Sequence, residues 1–171
     1  MKQVEVAGPS ARQEELLKMS HNLEAENLRV KEIPSDGHCL YRAIADQLNN
    51  NDSNQSSLHT SQRFDFEDLR LKAAAYMRDH VDEFAPFLGM DGGGEAFEEY
   101  CAKVASVSDA EWGGQLEIRA LSECLRRSIY VYDATNVLKM GTNYSTEEPL
   151  RISYHRHYYA LGEHYNSLVS S

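Results

Sequence analysis

Two kinds of periodicity follow one another along this chain, and their order limits the fold more than any other feature. From Cys39 to about Arg127, apolar residues recur at helical spacing. From Ser128 onward they come in short runs rich in Tyr, Val and Ile, which suit a pleated, half-buried surface. The helical stretches are "CLYRAIADQLNN", "FEDLRLKAAAYMRDHVDEF", "EAFEEYCAKVAS" and "QLEIRALSECLRR". Leu40, Ala43, Ile44 and Leu48 form the apolar face of the first, and Leu116, Ala120, Leu121 and Leu125 that of the last. The second reads as one unbroken helix from Phe66 to Phe84. The strand stretches are "SIYVYDA", "VLKM", "LRISYHR", "YYAL" and "HYNSLV", broken by Gly141-Thr142-Asn143, Glu147-Glu148-Pro149 and Gly162. One further strand, "LRVKEI", comes early and is stopped by Pro34. Helices first and strands last, without an internal repeat, predict an α+β domain with a small central sheet flanked by helices.

The chain's 171 residues suffice for one domain with a hydrophobic core. Residues 1–9 read as disordered, and Ser10 as the N-cap of a helix reaching about Asn27, with a stripe of Leu16, Met19 and Leu23. The expected division is a flexible segment and helix over 1–27, then the domain over 28–171. "NNNDSNQSSLHTSQ" is a polar loop and "GMDGGG" a flexible turn.

Several function classes fall away on composition. No apolar run approaches the roughly eighteen residues of a membrane span. The first residues lack the apolar core of a signal peptide. A formal net charge of −10 argues against nucleic acid, and it would speed encounter with a basic partner or serve solubility alone. Cys39, Cys101 and Cys124 are far apart and odd in number, which favours a reducing compartment, cytosol or nucleus, over a disulfide framework. Cys101 and Cys124 lie within helices and read as core.

Cys39 stands apart. It follows the turn dipeptide Asp36-Gly37 and opens a helix. A thiol there meets unpaired N–H groups and the positive end of the helix dipole, which favour the thiolate. The same N–H groups point where an oxyanion would form, and Gly37 lets the backbone approach a substrate carbonyl. A small buried hydrophobe is the competing role for Cys39. A nucleophilic cysteine needs a base, and seven histidines are available. His38 is the sequence neighbour of Cys39, but adjacent side chains at a helix start diverge. His155 and His157 alternate on one strand face, yet no third metal ligand accompanies them. His164 opens the terminal strand, and Asn166, two residues on, projects from the same face and could hold its imidazole. A strand-end histidine near solvent is the alternative.

"SDGHCLYRAI", "WGGQLEIRALS" and "LGEHYNSL", in this order and spacing, resemble the ovarian-tumour (OTU) family of cysteine deubiquitinases. The resemblance runs from Ile33 to Leu168 and is nearest to the subgroup with a helical, coiled-coil-prone N-terminal region. It implies a papain-type cysteine protease fold and hydrolysis of the bond after the ubiquitin C-terminus, with ubiquitin chains or conjugates as partners and no cofactor or metal. It implies Cys39 as nucleophile, His164 as general base and Asn166 as the residue orienting His164, where many members carry Asp. Asp36 would shape the loop before the cysteine and support the oxyanion hole; as an N-cap of the Cys39 helix it has a compatible second role. Backbone N–H groups from Asp36 through Gly37 and His38 to Cys39 would bind the oxyanion. Trp112, Gly113 and Gly114 would either line the channel that admits the ubiquitin Gly-Gly tail or support it from behind. The rival functions are a non-catalytic ubiquitin-binding module and a papain-like protease for a ubiquitin-like modifier. The short N-terminal region fits either a piece of a longer protein or a naturally short form.

Overall fold

The computed structural model describes residues 10–51, 63–159 and 162–171. Among these, the helices are α1 (Ala11–Glu24), α2 (Cys39–Asn51), α3 (Phe66–Asp79), α4 (Val81–Phe84), α5 (Glu95–Ala105) and α6 (Gln115–Leu125). The strands are β1 (Leu28–Lys31), β2 (Ile129–Tyr132), β3 (Val137–Met140), β4 (Leu150–Tyr159) and β5 (Gly162–Ser170). They form one sheet in the order β1-β5-β4-β2-β3. The β2–β4 pair is parallel and the other pairs are antiparallel. This is the α+β arrangement with a central sheet expected from the sequence.

Each sheet face has its own apolar cluster. The larger unites α2, α3, α5 and α6 with Ile129, Val131, Leu150, Ile152 and Tyr165. The smaller joins Met19 and Leu23 of α1 to Tyr132 and Leu168. Strand residues alternate faces. His164 and Asn166 therefore share the Leu168 face, toward α1, while Tyr165 and Ser167 face α2. α1 begins with a reciprocal cap: Gln13 N–H bonds Ser10 Oγ, and Ser10 N–H bonds Gln13 Oε1.

Polar side chains fix how α2 sits on the sheet. Gln47 Nε2 donates to Ser167 Oγ at 2.8 Å and to the Leu168 carbonyl, while its Oε1 accepts the Arg151 N–H at 2.8 Å. Asp46 accepts from Ser167 Oγ and from Lys31 Nζ. One buried amide and one carboxylate thus tie α2 to β4, β5 and β1. These bonds set the height of Cys39 relative to β5.

Three sequence expectations change. The helix expected over Phe66–Phe84 breaks at His80, whose backbone leaves the helical region (φ −131°, ψ 48°). Its ring Nδ1 lies 2.8 Å from the Tyr76 carbonyl and stacks on the Tyr76 ring, taking the acceptor that its own N–H would use in a continuing helix. "LRISYHR" and the start of "YYAL" form one strand, β4, while Ala160 and Leu161 lie outside the described residues. His155 and His157 do not share a face: His155 is fully buried and His157 exposed, because β4 bulges after His155. Residues 1–9 and most of the expected polar loop, residues 52–62, also lie outside the described residues.

Candidate active site

The loop from Ile33 to Cys39 is shaped by one carboxylate. Asp36 Oδ1 accepts the His38 N–H at 2.9 Å, and Oδ2 receives both Nε and Nη2 of Arg42 at 2.9 Å. Burial works to raise the Asp36 pKa, but the bonds from Arg42 and from the His38 N–H outweigh it and leave the carboxyl below its ordinary value. Asp36 therefore folds the loop; its side chain bonds the residue before α2 and not an N–H inside it. The Cys39 N–H reaches the Asp36 backbone carbonyl by a long 3.3 Å bond.

A second clamp comes from α3. Arg70, fully buried, donates from Nη2 to the Gly37 carbonyl at 2.8 Å and from Nε to His38 Nδ1 at 2.8 Å. Its Nη1 donates to the Val104 and Glu111 carbonyls, and its guanidinium lies 4.2 Å from the Tyr41 ring centroid. The Gly37–His38 peptide is thus held at both ends, its carbonyl by Arg70 and its N–H by Asp36. His38 stacks on Phe66, over which the Arg42 guanidinium also sits. Because Arg70 Nε–H can only donate, His38 Nδ1 must accept, which requires neutral His38. Burial first, then the charge of Arg70, lowers its pKa accordingly. His38 belongs to the packing that braces the loop.

Cys39 opens α2 and is 4% exposed. The helix start was expected to lower its pKa. Burial instead raises it, against N–H groups of Tyr165, Leu40 and Cys39 that pull it down. The Tyr165 contact brings the thiol to β5, between His164 and Asn166 in sequence.

On β5, His164 Nε2 lies 2.9 Å from Asn166 Oδ1, both side chains being buried. The same oxygen accepts the Ile33 N–H at 2.8 Å. An N–H can only donate, so the Asn166 atom facing His164 is the oxygen, and His164 must carry its proton on Nε2. The lone pair is then on Nδ1. Burial lowers the His164 pKa, opposed by bonds to Asn166 and to the Ile33 backbone. Asn166 Nδ2 is 3.3 Å from His155 Nε2, which also meets Ser153 Oγ at 2.8 Å. His155 is buried and its pKa is lowered to about 4 by desolvation, so it stays neutral. The Tyr158 ring stacks on His164 at 4.5 Å between centroids.

Trp112 is 56% exposed, with its Nε1 3.9 Å from where a Gly37 side chain would begin. A Cβ on Gly113 would meet Leu40 Cδ2, so only glycine lets this segment approach the residue after Cys39. The corresponding point at Gly114 is open. From this glycine pair runs a cleft of about 340 Å³, lined in part by Tyr154, Tyr165, Glu163, Asp133 and Arg156. Among the described residues no group of three His, Cys, Asp or Glu side chains is placed for a metal ion, and no helix is long and apolar enough to cross a membrane.

The structure thus gathers Asp36, Gly37, Cys39, His164, Asn166, Trp112 and Gly113 around one loop. Arg70, His155 and Tyr158 also serve this region and were not anticipated. The signal for Tyr158 was its position four residues before Gly162; Arg70 carried none beyond being a charge on an amphipathic helix.

The family pattern described as "OTU-like cysteine protease" matches residues 34–165. The chain is 42% identical over 165 residues to the human protein named "Deubiquitinase OTUD6B", covering 93% of this chain and 52% of that protein. It is 36% identical over 160 residues to "Ubiquitin thioesterase otu2" of Schizosaccharomyces pombe, covering 91% of this chain and 50% of that protein. The chain thus spans about half the length of these curated relatives. Among solved structures, "Structure of OTUD1 OTU domain" aligns at TM-score 0.65 and 24% identity, covering 92% of this chain and 96% of that one. "Structure of Ovarian Tumor (OTU) domain in complex with Ubiquitin" aligns at TM-score 0.58 and 24% identity, covering 83% and 69%. These likenesses place the papain-type OTU fold beside the α+β reading.

Proposed function

Because the chain belongs to the OTU-like cysteine protease family, we propose that it is a deubiquitinase, which hydrolyses the isopeptide or peptide bond after the C-terminal glycine pair of ubiquitin. The names of the relatives support the substrate class. The observation that carries the chemistry is the doubly used Asn166 oxygen, which puts the His164 proton on Nε2 and the basic lone pair on Nδ1.

In this reading Cys39 Sγ attacks the scissile carbonyl carbon as His164 Nδ1 takes the thiol proton. The carbonyl oxygen becomes an oxyanion, which would draw the Cys39 N–H from its long 3.3 Å bond to the Asp36 carbonyl, beside the loop braced by Asp36 and Arg70. The intermediate collapses, the C–N bond breaks, and His164 returns its proton to the departing lysine amine. A thioester remains on Cys39. Water, deprotonated by His164, attacks it; the C–S bond breaks, releasing the ubiquitin carboxylate and restoring the thiol. Asn166 keeps the imidazole in register throughout. No step needs a metal or cofactor.

The glycine pair of the substrate would pass beside Trp112 and Gly114, where the missing side chain leaves open space. Asp133 and Glu163 in the adjoining cleft outnumber Arg156 and suit a basic extended tail. Three unpaired cysteines fit a reducing compartment, cytosol or nucleus.

The test is labelling by a ubiquitin C-terminal electrophile. Wild type should form one adduct, and Cys39→Ala none, while retaining ubiquitin binding. Adduct formation by Cys39→Ala would remove Cys39 from its role. An unlabelled wild type that still binds ubiquitin would favour the non-catalytic module.

A further inference from the structure

α1 lies before the stretch matched by the family pattern, which begins at residue 34. It nevertheless reaches the layer behind His164. The link is the irregularity in β4. His155 pairs with His164 and Tyr159 with Gly162, so four steps along β4 oppose two along β5. Two extra residues leave local N–H groups without ladder partners and turn side chains off their regular faces. Regular alternation from His155 would put His157 on its face and Tyr158 on the other. Instead His157 is exposed, and Tyr158 lies against both histidines: 5.0 Å from the His155 ring and stacked on His164.

The bulge has a partner on α1. Both oxygens of Glu15, on α1, accept from it: Oε2 from the Arg156 N–H at 2.9 Å and Oε1 from the His157 N–H at 3.1 Å. Two successive N–H groups converging on one carboxylate form a small anion nest with charge-assisted bonds. One turn earlier, Arg12 places its guanidinium 4.7 Å from the Tyr158 centroid. On the far side, Tyr158 Oη donates to Glu32 Oε1 at 3.0 Å. Tyr158 is thus held by α1 below, by the end of β1 beside it, and by His164 above.

We propose that Glu15 is a positioning residue for His164, acting through the β4 bulge and the Tyr158 ring. The proposal rests on the reading of His164 as the general base. In it, α1 and the following domain form one functional unit, because α1 sets how tightly the imidazole is shielded. Loss of the Glu15 carboxylate would let the bulge relax toward regular pairing, withdraw the ring and admit water to His164. The charged and titratable groups around this imidazole are Tyr158 and His155 on β4, Glu32 after β1, Asp36 in the cysteine loop, the Cys39 thiol on α2, which meets the neighbouring Tyr165 N–H, and, behind Tyr158, Arg12 on α1. Of these, the Glu15→Ala change moves Tyr158 first.

The experiment measures kcat, KM and the pH profile of kcat/KM on a fluorogenic ubiquitin amide, with the whole chain, for Glu15→Ala, Tyr158→Leu and Tyr158→Phe. Denaturant midpoints establish the folded fraction. Glu15→Ala and Tyr158→Leu should each lower kcat by about tenfold and leave KM within about twofold. Both should move the acid limb upward, as a more solvated His164 regains its ordinary basicity. Tyr158→Phe, which keeps the ring but loses the bond to Glu32, should lose less kcat than Tyr158→Leu and move the acid limb less. Cys39→Ala and His164→Ala run alongside. Turnover by either would overturn the catalytic reading itself. If both are inactive while Glu15→Ala matches wild type, the role of Glu15 alone fails. It fails equally if Glu15→Ala changes KM alone, or loses kcat only in proportion to the folded fraction with an unmoved acid limb.

Discussion

Arg70 Nη2 donates to the Gly37 carbonyl at 2.8 Å, so a side chain from the middle of α3 holds the backbone two residues ahead of Cys39. Removing it strands the Val104 carbonyl in the buried interior and leaves the half-buried Gly37 and Glu111 carbonyls and the His38 Nδ1 lone pair without this donor. Arg70→Met should therefore cost about 3 kcal/mol or more of stability. Arg70→Lys keeps the charge but not the planar fork, and should fall between. Denaturant unfolding decides this; a loss under about 1 kcal/mol for Arg70→Met would mean that the loop stands without its clamp.

Cys39 and His164 move in opposite directions, the thiol up and the imidazole down, each mainly through burial. Both shifts favour a neutral thiol–imidazole pair at rest over a thiolate–imidazolium pair. Alkylation of Cys39 by iodoacetamide should then climb steadily with pH toward and beyond the ordinary thiol range. A fast plateau between about pH 5 and 8 would show an ion pair already formed.

Asn166→Ala frees the Ile33 N–H and the His164 Nε2–H together. Activity should fall by one to two orders of magnitude, roughly, yet persist, since only orientation is lost. Cys39→Ala and His164→Ala should be worse. Asn166→Asp keeps an acceptor for both N–H groups and adds a negative charge beside His164, raising its pKa. His164 must be neutral to act as base, so the acid limb of kcat/KM should move to higher pH. An unmoved limb in Asn166→Asp would place His164 beyond the reach of that charge.

Acid stability follows from His155. Its folded-state pKa, about 4, lies below the ordinary histidine value of 6.5. On acidification the unfolded chain therefore takes up the proton first, and stability is lost. The contribution is complete above about pH 6.5 and declines as pH falls toward 4, with lowered His38 and His164 acting in the same direction. Unfolding free energies between pH 7 and 4.5 should show this decline, and His155→Gln should flatten it. An equally steep fall in His155→Gln would assign the acid sensitivity to other groups.

The parts legible in the sequence were those written as local pattern. A turn dipeptide followed by an apolar helical stripe placed Cys39 at the start of α2, and period two placed Asn166 beside His164. What stayed hidden depended on backbone groups from elsewhere. On α3 residue type alone would bury Leu71 before Arg70, but Leu71 is 58% exposed and Arg70 fully buried. The partners that draw Arg70 in are carbonyls, which no sequence pattern marks. The β4 bulge was hidden likewise, since its N–H groups are answered by Glu15, far earlier in the chain. The depressed thiol pKa expected from the helix start failed because dipole and N–H groups compete with a burial that only the packed structure sets.

The position of β5 bears on when this chain can act. The strand bearing His164 and Asn166 lies inside the sheet, between β1 and β4, with the earliest strand on one side and the penultimate on the other. During synthesis the thiol-bearing helix emerges long before its base. Until β5 threads into the gap kept for it, Asn166 cannot meet the Ile33 N–H and the imidazole has no fixed tautomer. On the reading of Cys39 as nucleophile and His164 as base, a nascent chain that has not yet paired β5 holds the thiol without its placed proton acceptor.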